Sequence, residues 1–292
     1  MATRLLTVEP TAGLANRMRV IDSAIALSRA LGSPLQIVWT RTPDLGCRFD
    51  ALFTPIPGVR IAERSWTHSR IVRRLGAVLR YDPVLTQAAV ERLIAARHDF
   101  TGLRGARRPF IITCSRFLPA AGHLAGLTPV PAIAARVGEA AAGFTPFTVG
   151  VHIRRTDNER STLRSPTAAF AGAMAALVRD EPRTTFFVAT DDPAEEQTLR
   201  AAFGDRIVTL RKRLDRANAD AIKSALVDLL CLSRTRVVLG SDWSAYSEMA
   251  AEVGGIPLRV IEIGGAWSSP VRWPRWRGRD FGVRRRAGVD VE

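Results

Sequence analysis

Strand-like apolar runs alternate with helical periodicity through the second half of the chain, and that alternation restricts it to an α/β architecture. FTVGVHIR (residues 147–154) reads as a strand, 166–178 as a helix, TTFFVAT (184–190) as a strand and 193–203 as a helix. RIVTL (206–210), a helix over 219–232, TRVVLGS (235–241), a helix over 245–253 and PLRVIEI (257–263) continue the pattern. Strands separated by helices cannot pair through tight hairpins. They lie parallel, with crossover helices on both faces of the sheet. The first half opens the same way. LLTV (5–8) is a strand, and a glycine turn leads into a helix over 16–31 with Met18, Ile21, Ile25 and Leu27 at helical spacing. LQIVW (35–39) is the next strand. Residues 60–81 and 87–96 read as partly helical and PFIIT (109–113) as a strand. The proline-bounded helix in 128–143 leads across a domain boundary, giving an N-terminal lobe of 1–143 and a C-terminal lobe of 144–292.

Composition excludes several classes. With 292 residues, 47% hydrophobic and 24% charged, the chain is globular and long enough for one large domain or two ordinary ones. No run of 18 apolar residues suggests a membrane span, and MATRLLTVEP lacks the apolar region of a secretory signal, so a cytoplasmic protein is expected. Cys47, Cys114 and Cys231 are far apart and the four histidines isolated, so no metal site is expected. The net charge of +14 is almost wholly arginine, since Lys212 and Lys223 are the only lysines. Such a charge suits an anionic ligand, a polyanion or an anionic membrane surface. Its densest stretch, WPRWRGRDFGVRRRAG (273–288), mixes aromatic and basic residues, but no nucleic-acid-binding motif accompanies it.

In parallel α/β domains, ligands bind at the carboxyl ends of strands. Three strand ends carry polar clusters. After residue 151 comes His152-Ile153-Arg154-Arg155-Thr156-Asp157. A guanidinium offers a rigid fork of donors that suits a diphosphate. Adjacent arginines on a strand point to opposite sides, so one faces a ligand while the other holds a carboxylate or the other lobe. The next strand ends in Asp191-Asp192-Pro193, a helix-start signal in which one aspartate caps and the other can accept from a nucleoside. The third ends in Gly240-Ser241-Asp242-Trp243-Ser244, where hydroxyls at a helix start favour anions. GLANR (13–17) is a fourth cluster, with the wrong spacing for a dinucleotide fingerprint or a P-loop.

GLANR, VHIRRTD (151–157), FVATDDP (187–193) and GSDWS (240–244), in that order, resemble the bacterial nodulation fucosyltransferases of the NodZ type. They resemble more distantly the α-1,6-, α-1,2- and protein O-fucosyltransferases. The resemblance implies a GT-B-like fold of two Rossmann-like lobes and a metal-independent, inverting transfer from a GDP-sugar, fucose first, to a glycan or other hydroxyl acceptor. It implies that Arg154 binds the diphosphate, with His152 and Arg155 shaping the pocket. Asp191 or Asp192 would recognise the nucleoside, Ser241 and Ser244 would lie by the phosphates, and Gly13, Asn16 and Arg17 would face the cleft from the other lobe. Asp157 and Glu159 are the candidates for general base, because the glutamate some relatives carry a few residues beyond the motif has no counterpart in NERSTL (158–163). Two other readings stay open: a transferase of another GDP- or UDP-sugar, and a nucleotide- or polyanion-binding protein without turnover.

Overall fold

The computed structural model describes residues 5–65, 80–118, 123–156 and 159–263. The basic stretch 273–288 and Asp157 lie outside the described residues.

Two five-stranded parallel sheets organise the chain. The first contains β1 (Leu6–Pro10), β2 (Leu35–Arg41), β3 (Val59–Ser65), β4 (Val84–Leu85) and β5 (Phe110–Thr113), in the order β3-β2-β1-β5-β4. Its helices are α1 (Leu14–Leu31), α2 (Gln87–Ala95) and α3 (Pro131–Ala141). The second sheet contains β6 (Thr148–Ile153), β7 (Thr185–Thr190), β8 (Ile207–Val208), β9 (Val238–Ser241) and β10 (Leu258–Ile261), in the order β10-β9-β6-β7-β8. Its helices are α4 (Glu159–Arg164), α5 (Thr167–Asp180), α6 (Pro193–Phe203), α7 (Ala219–Leu232) and α8 (Ala245–Gly254).

β1 and β6 are buried along their whole length because helices cover both faces of each sheet. On one side of β6, Val149, Val151 and Ile153 pack with Phe170, Met174 and Leu177 of α5. On the other side, Gly150 leaves space that a side chain would lose. A Cβ there would stand 2.7 Å from Thr235 Oγ1 and 2.9 Å from Leu232. A second apolar core runs through both lobes, joining α1 residues such as Met18 and Ile21 to Leu226, Leu229 and Met249. α1 packs on α8 and α3 on α7, so the two sheets share buried surface.

One helical expectation is corrected. Residues 59–65 form β3, paired in parallel from Leu35↔Val59 to Arg41↔Ser65. Val59 and Ile61 share a face at a spacing of two, which is strand periodicity. Residues 66–79 of the same expectation lie outside the described residues. No described helix is long and apolar enough to cross a membrane.

Candidate functional site

The strand orders decide where a ligand can sit. In the second sheet β6 is the pivot: β7 and β8 extend to one side of it, β9 and β10 to the other. In the first sheet β1 pivots in the same way between β2 and β5. At such a reversal the connections diverge and leave a crevice beyond the strand ends. The two crevices face each other across a cleft of about 790 Å³. Residues 12–16, Cys114 and Ser115 line one wall; His152, Arg154, Asp191 and the turn Ser241–Ser244 line the other. The lobes are tied beside the cleft. Arg116 bridges Asp22 (2.6 Å) of α1 and Glu252 (2.5 Å) of α8, and Gly46 N–H donates to Arg216 O at 2.9 Å. Gly46 cannot carry a side chain there, since a Cβ would come 1.9 Å from Ala217 O.

The arginine pair divides as alternation requires. Arg154 lines the cleft, and its N–H donates to Ser241 Oγ at 3.1 Å. Arg155 turns away. Its Nε meets Glu195 Oε1 at 2.6 Å, Nη2 donates to Thr167 Oγ1 at 3.2 Å, and Nη1 to Arg154 O at 3.0 Å. Arg155 therefore fixes the backbone that presents Arg154, and is not itself in the pocket.

The two aspartates also divide. Asp192 is the N-cap of α6, accepting from Ala194 N–H at 2.9 Å. Asp191 lines the cleft, but its carboxylate is taken up by the chain itself. It accepts from Arg155 N–H at 2.7 Å and from Thr156 Oγ at 2.8 Å, and Arg216 stands 3.8 Å away. It fastens the loop after β6 from the cleft wall, the wall on which a reader of the nucleoside is expected.

Arg17 is corrected. It is fully buried beneath the turn after β1 and does not line the cleft. It donates to Ala12 O (2.8 Å), Thr40 O (2.7 Å) and Thr42 Oγ1 (3.2 Å), and lies over the Trp39 ring at 4.8 Å. Burial pushes its pKa down to about 10, opposed by Glu9, Asp44 and Glu63, so it stays charged at neutral pH. Gly13 and Asn16 do line the cleft, and the Asn16 Oδ1 atom is buried without a partner. Glu159 opens α4, is exposed and does not line the cleft, because that helix turns it outward.

His152 forms part of the floor. Its Nδ1 lies 2.8 Å from Ser247 Oγ and 3.3 Å from Ser244 Oγ, and its ring stacks on Tyr246 with centroids 4.5 Å apart. Burial pushes its pKa down to about 3, with Arg154 and Lys212 adding to the effect and Asp191 opposing it. His152 is therefore neutral at working pH. The unfolded chain takes up this proton near pH 6.5 and the folded chain only near 3, so stability is lost as pH falls between those values. From pH 7 to pH 5 the loss expected from this group is about 2 kcal/mol. Urea midpoints measured across that range should fall less steeply for His152→Gln than for the parent; equal slopes would refute this assignment.

Other cleft residues escaped the sequence reading. Lys212, Arg213 and Arg216 follow β8, and Lys212 pairs with the buried Asp228 of α7. Applying the strand-end rule to β8 would have found RKRLDR (211–216). Burial raises the Asp228 pKa against the pull of Lys212, and its Oδ1 atom has no hydrogen-bond partner. Asp44, Glu91 and Ser115 on the first lobe carried no sequence signal. Among the described residues, no group of three or more His, Cys, Asp or Glu could hold a metal ion.

No protein-family model matches the chain, and no curated protein matches its sequence. Solved structures do match its fold. NodZ α-1,6-fucosyltransferase soaked with GDP-fucose is 22% identical, over 89% of this chain and 94% of that one, with a TM-score of 0.62. The fucosyltransferase NodZ from Bradyrhizobium is 21% identical, over 91% and 98%, with a TM-score of 0.62. A mutant of Arabidopsis thaliana FUT1 in complex with GDP is 13% identical, over 88% and 70%, with a TM-score of 0.60. The chain thus has the two-sheet GT-B fold of these fucosyltransferases, as its motifs led one to expect.

Proposed function

We propose that the protein is a glycosyltransferase that uses GDP-fucose, with the C-terminal lobe holding the donor and the N-terminal lobe receiving the acceptor. The observation that carries this reading is Arg154 at the carboxyl end of β6 beside the start of α8, both on the wall of the cleft. A guanidinium and the amides of a helix N-terminus together make a strong anion site. In glycosyl transfer the diphosphate gains charge as it leaves, so fixed cationic donors stabilise the transition state more than the ground state.

Arg154 takes the diphosphate in this reading, with Ser244 and the first amides of α8 on the remaining phosphate oxygens. Lys212 and Arg216 add positive charge from the β8 side. The orphaned Oδ1 of Asp228 accepts from a nucleobase N–H, which removes a buried unsatisfied acceptor. Neutral His152 is a wall and not an acid. Transfer proceeds with inversion and without a metal, the arginine doing the work a cation would do. Fold similarity to fucosyltransferases solved with GDP-fucose and with GDP supports the choice of donor.

Calorimetric titration with GDP, GDP-fucose, GDP-mannose and UDP, with EDTA present throughout, tests the proposal. GDP and GDP-fucose should bind at least about 10-fold more tightly than UDP, a difference of about 1.4 kcal/mol. A folded protein that binds no nucleotide, or prefers UDP, overturns it.

A further inference from the structure

We propose that Glu91 is the general base that removes the proton from the acceptor hydroxyl, an inference that rests on the transferase reading above. Six described carboxylates line the cleft: Asp44, Glu91, Asp191, Asp228, Asp242 and Glu248. Four are committed to other groups. Asp191 accepts from the loop after β6, and Asp228 pairs with Lys212. Asp242 meets Arg164 at 3.1 Å, and Glu248 meets Arg19 at 3.7 Å. Each of these carboxylates is tied down by a charged side chain or by the donors of a loop, so it is not placed to turn towards an acceptor hydroxyl. Asp44 sits in the turn closed by Thr42 and Leu45, next to the charge of Arg17.

Glu91 differs in what holds it. Gln87, one turn earlier on α2, donates to Glu91 Oε1 at 2.7 Å. The same amide nitrogen donates to Ser115 Oγ at 2.8 Å. The amide oxygen accepts from Thr113 Oγ1 at 2.7 Å and Cys114 N–H at 2.8 Å. All four hydrogen-bonding positions of the Gln87 amide are therefore used, which fixes its orientation and clamps α2 to the end of β5. Glu91 is thus oriented at Oε1 by a neutral, immobile amide, which places the carboxylate with a weaker hold than a cation would exert. This is the arrangement of a base held by a third group. β5 adjoins the pivot of the first sheet and Arg154 extends from the pivot of the second, so base and leaving-group site occupy opposite walls. An in-line displacement needs them on opposite faces of the sugar. The acceptor oxygen forms a bond to the anomeric carbon, the bond from that carbon to the diphosphate breaks, the acceptor proton passes to Glu91 and GDP leaves.

The test measures GDP release from GDP-fucose by the full chain and its Glu91→Gln variant, with methanol in water and with azide as acceptors. Azide carries no proton to remove. E91Q should bind GDP-fucose within about twofold of the parent and release GDP with water and methanol at least about 100-fold more slowly. With azide it should match the parent, and Glu91→Asp should recover part of the methanol rate. An unchanged methanol rate in E91Q overturns the inference, as does an equal fall with methanol and azide while binding is intact. A parent protein that binds GDP-fucose yet releases GDP with neither acceptor also overturns it. A parent that binds no GDP-fucose fails one step earlier, at the transferase reading itself.

Discussion

Arg154→Ala is expected to weaken GDP binding by 10-fold or more and to lower the rate of transfer from bound donor by about 100- to 1000-fold. The two effects separate because the guanidinium does two jobs. In the ground state it makes charge-assisted hydrogen bonds to a diphosphate that other donors also hold. In the transition state it meets the charge that develops as the sugar–oxygen bond breaks, and no other arginine of the HIRR segment faces the cleft to replace it. Its effectiveness depends on being fixed beforehand. Ser241 Oγ accepts from its N–H at 3.1 Å, and the guanidinium of Arg155 donates to its carbonyl at 3.0 Å. Donors set in place need no reorganisation as the charge appears. Arg154→Lys keeps the charge but loses the fork, so it should restore more of the GDP affinity than of the rate. Calorimetry with GDP and single-turnover kinetics with GDP-fucose separate the two. If R154A binds GDP as tightly as the parent, the diphosphate lies elsewhere in the cleft.

The positions of the site were legible in the sequence; several of its side-chain directions were not. Strand ends could be counted, and the strand-end rule then pointed to His152, Arg154, Ser241 and Ser244 before any coordinates. What could not be read was which partner each charged group meets. That Asp191 also holds the loop after β6 was not legible, because nothing in the sequence shows that Arg155 N–H and Thr156 bend back to it. The division of the arginine pair was legible but the carboxylate that holds Arg155 was not, because Glu195 lies 40 residues further on. Lys212 and Arg216 were passed over for a related reason. RKRLDR directly follows the strand RIVTL but matches no ligand motif, and Asp228, which pairs with Lys212 in the cleft, lies 16 residues further on. Glu91 lies on a helix whose position depends on Gln87 reaching the end of β5, a contact between segments with no shared motif. Long-range pairing decides these cases, and local pattern does not record it.

Arg17→Ala should be among the most destabilising single changes in the chain, costing about 3 kcal/mol or more, though the residue belongs to a motif that points to ligand binding. Its guanidinium is fully buried and is the partner of Ala12 O and Thr40 O. Truncation would remove a donor from both carbonyls, empty a large space against Trp39 and take a cation from its ring face at 4.8 Å. Ala12 has a φ of 61°, a left-handed conformation that costs energy for a residue with a Cβ. The Arg17 Nε bond to Ala12 O holds the turn in that shape, and the turn carries Gly13 and Asn16 to the cleft. GLANR is then one device with two ends: Arg17 fixes the loop from beneath, and Gly13 and Asn16 present its upper surface. The urea midpoint should fall by about 1 M with little change in slope. Arg17→Met, which fills the space but supplies no donor, should recover only part of the loss. Near-parental stability of R17A would mean that the turn is held by β1 and α1 alone, and would reopen the case for Arg17 as a ligand contact.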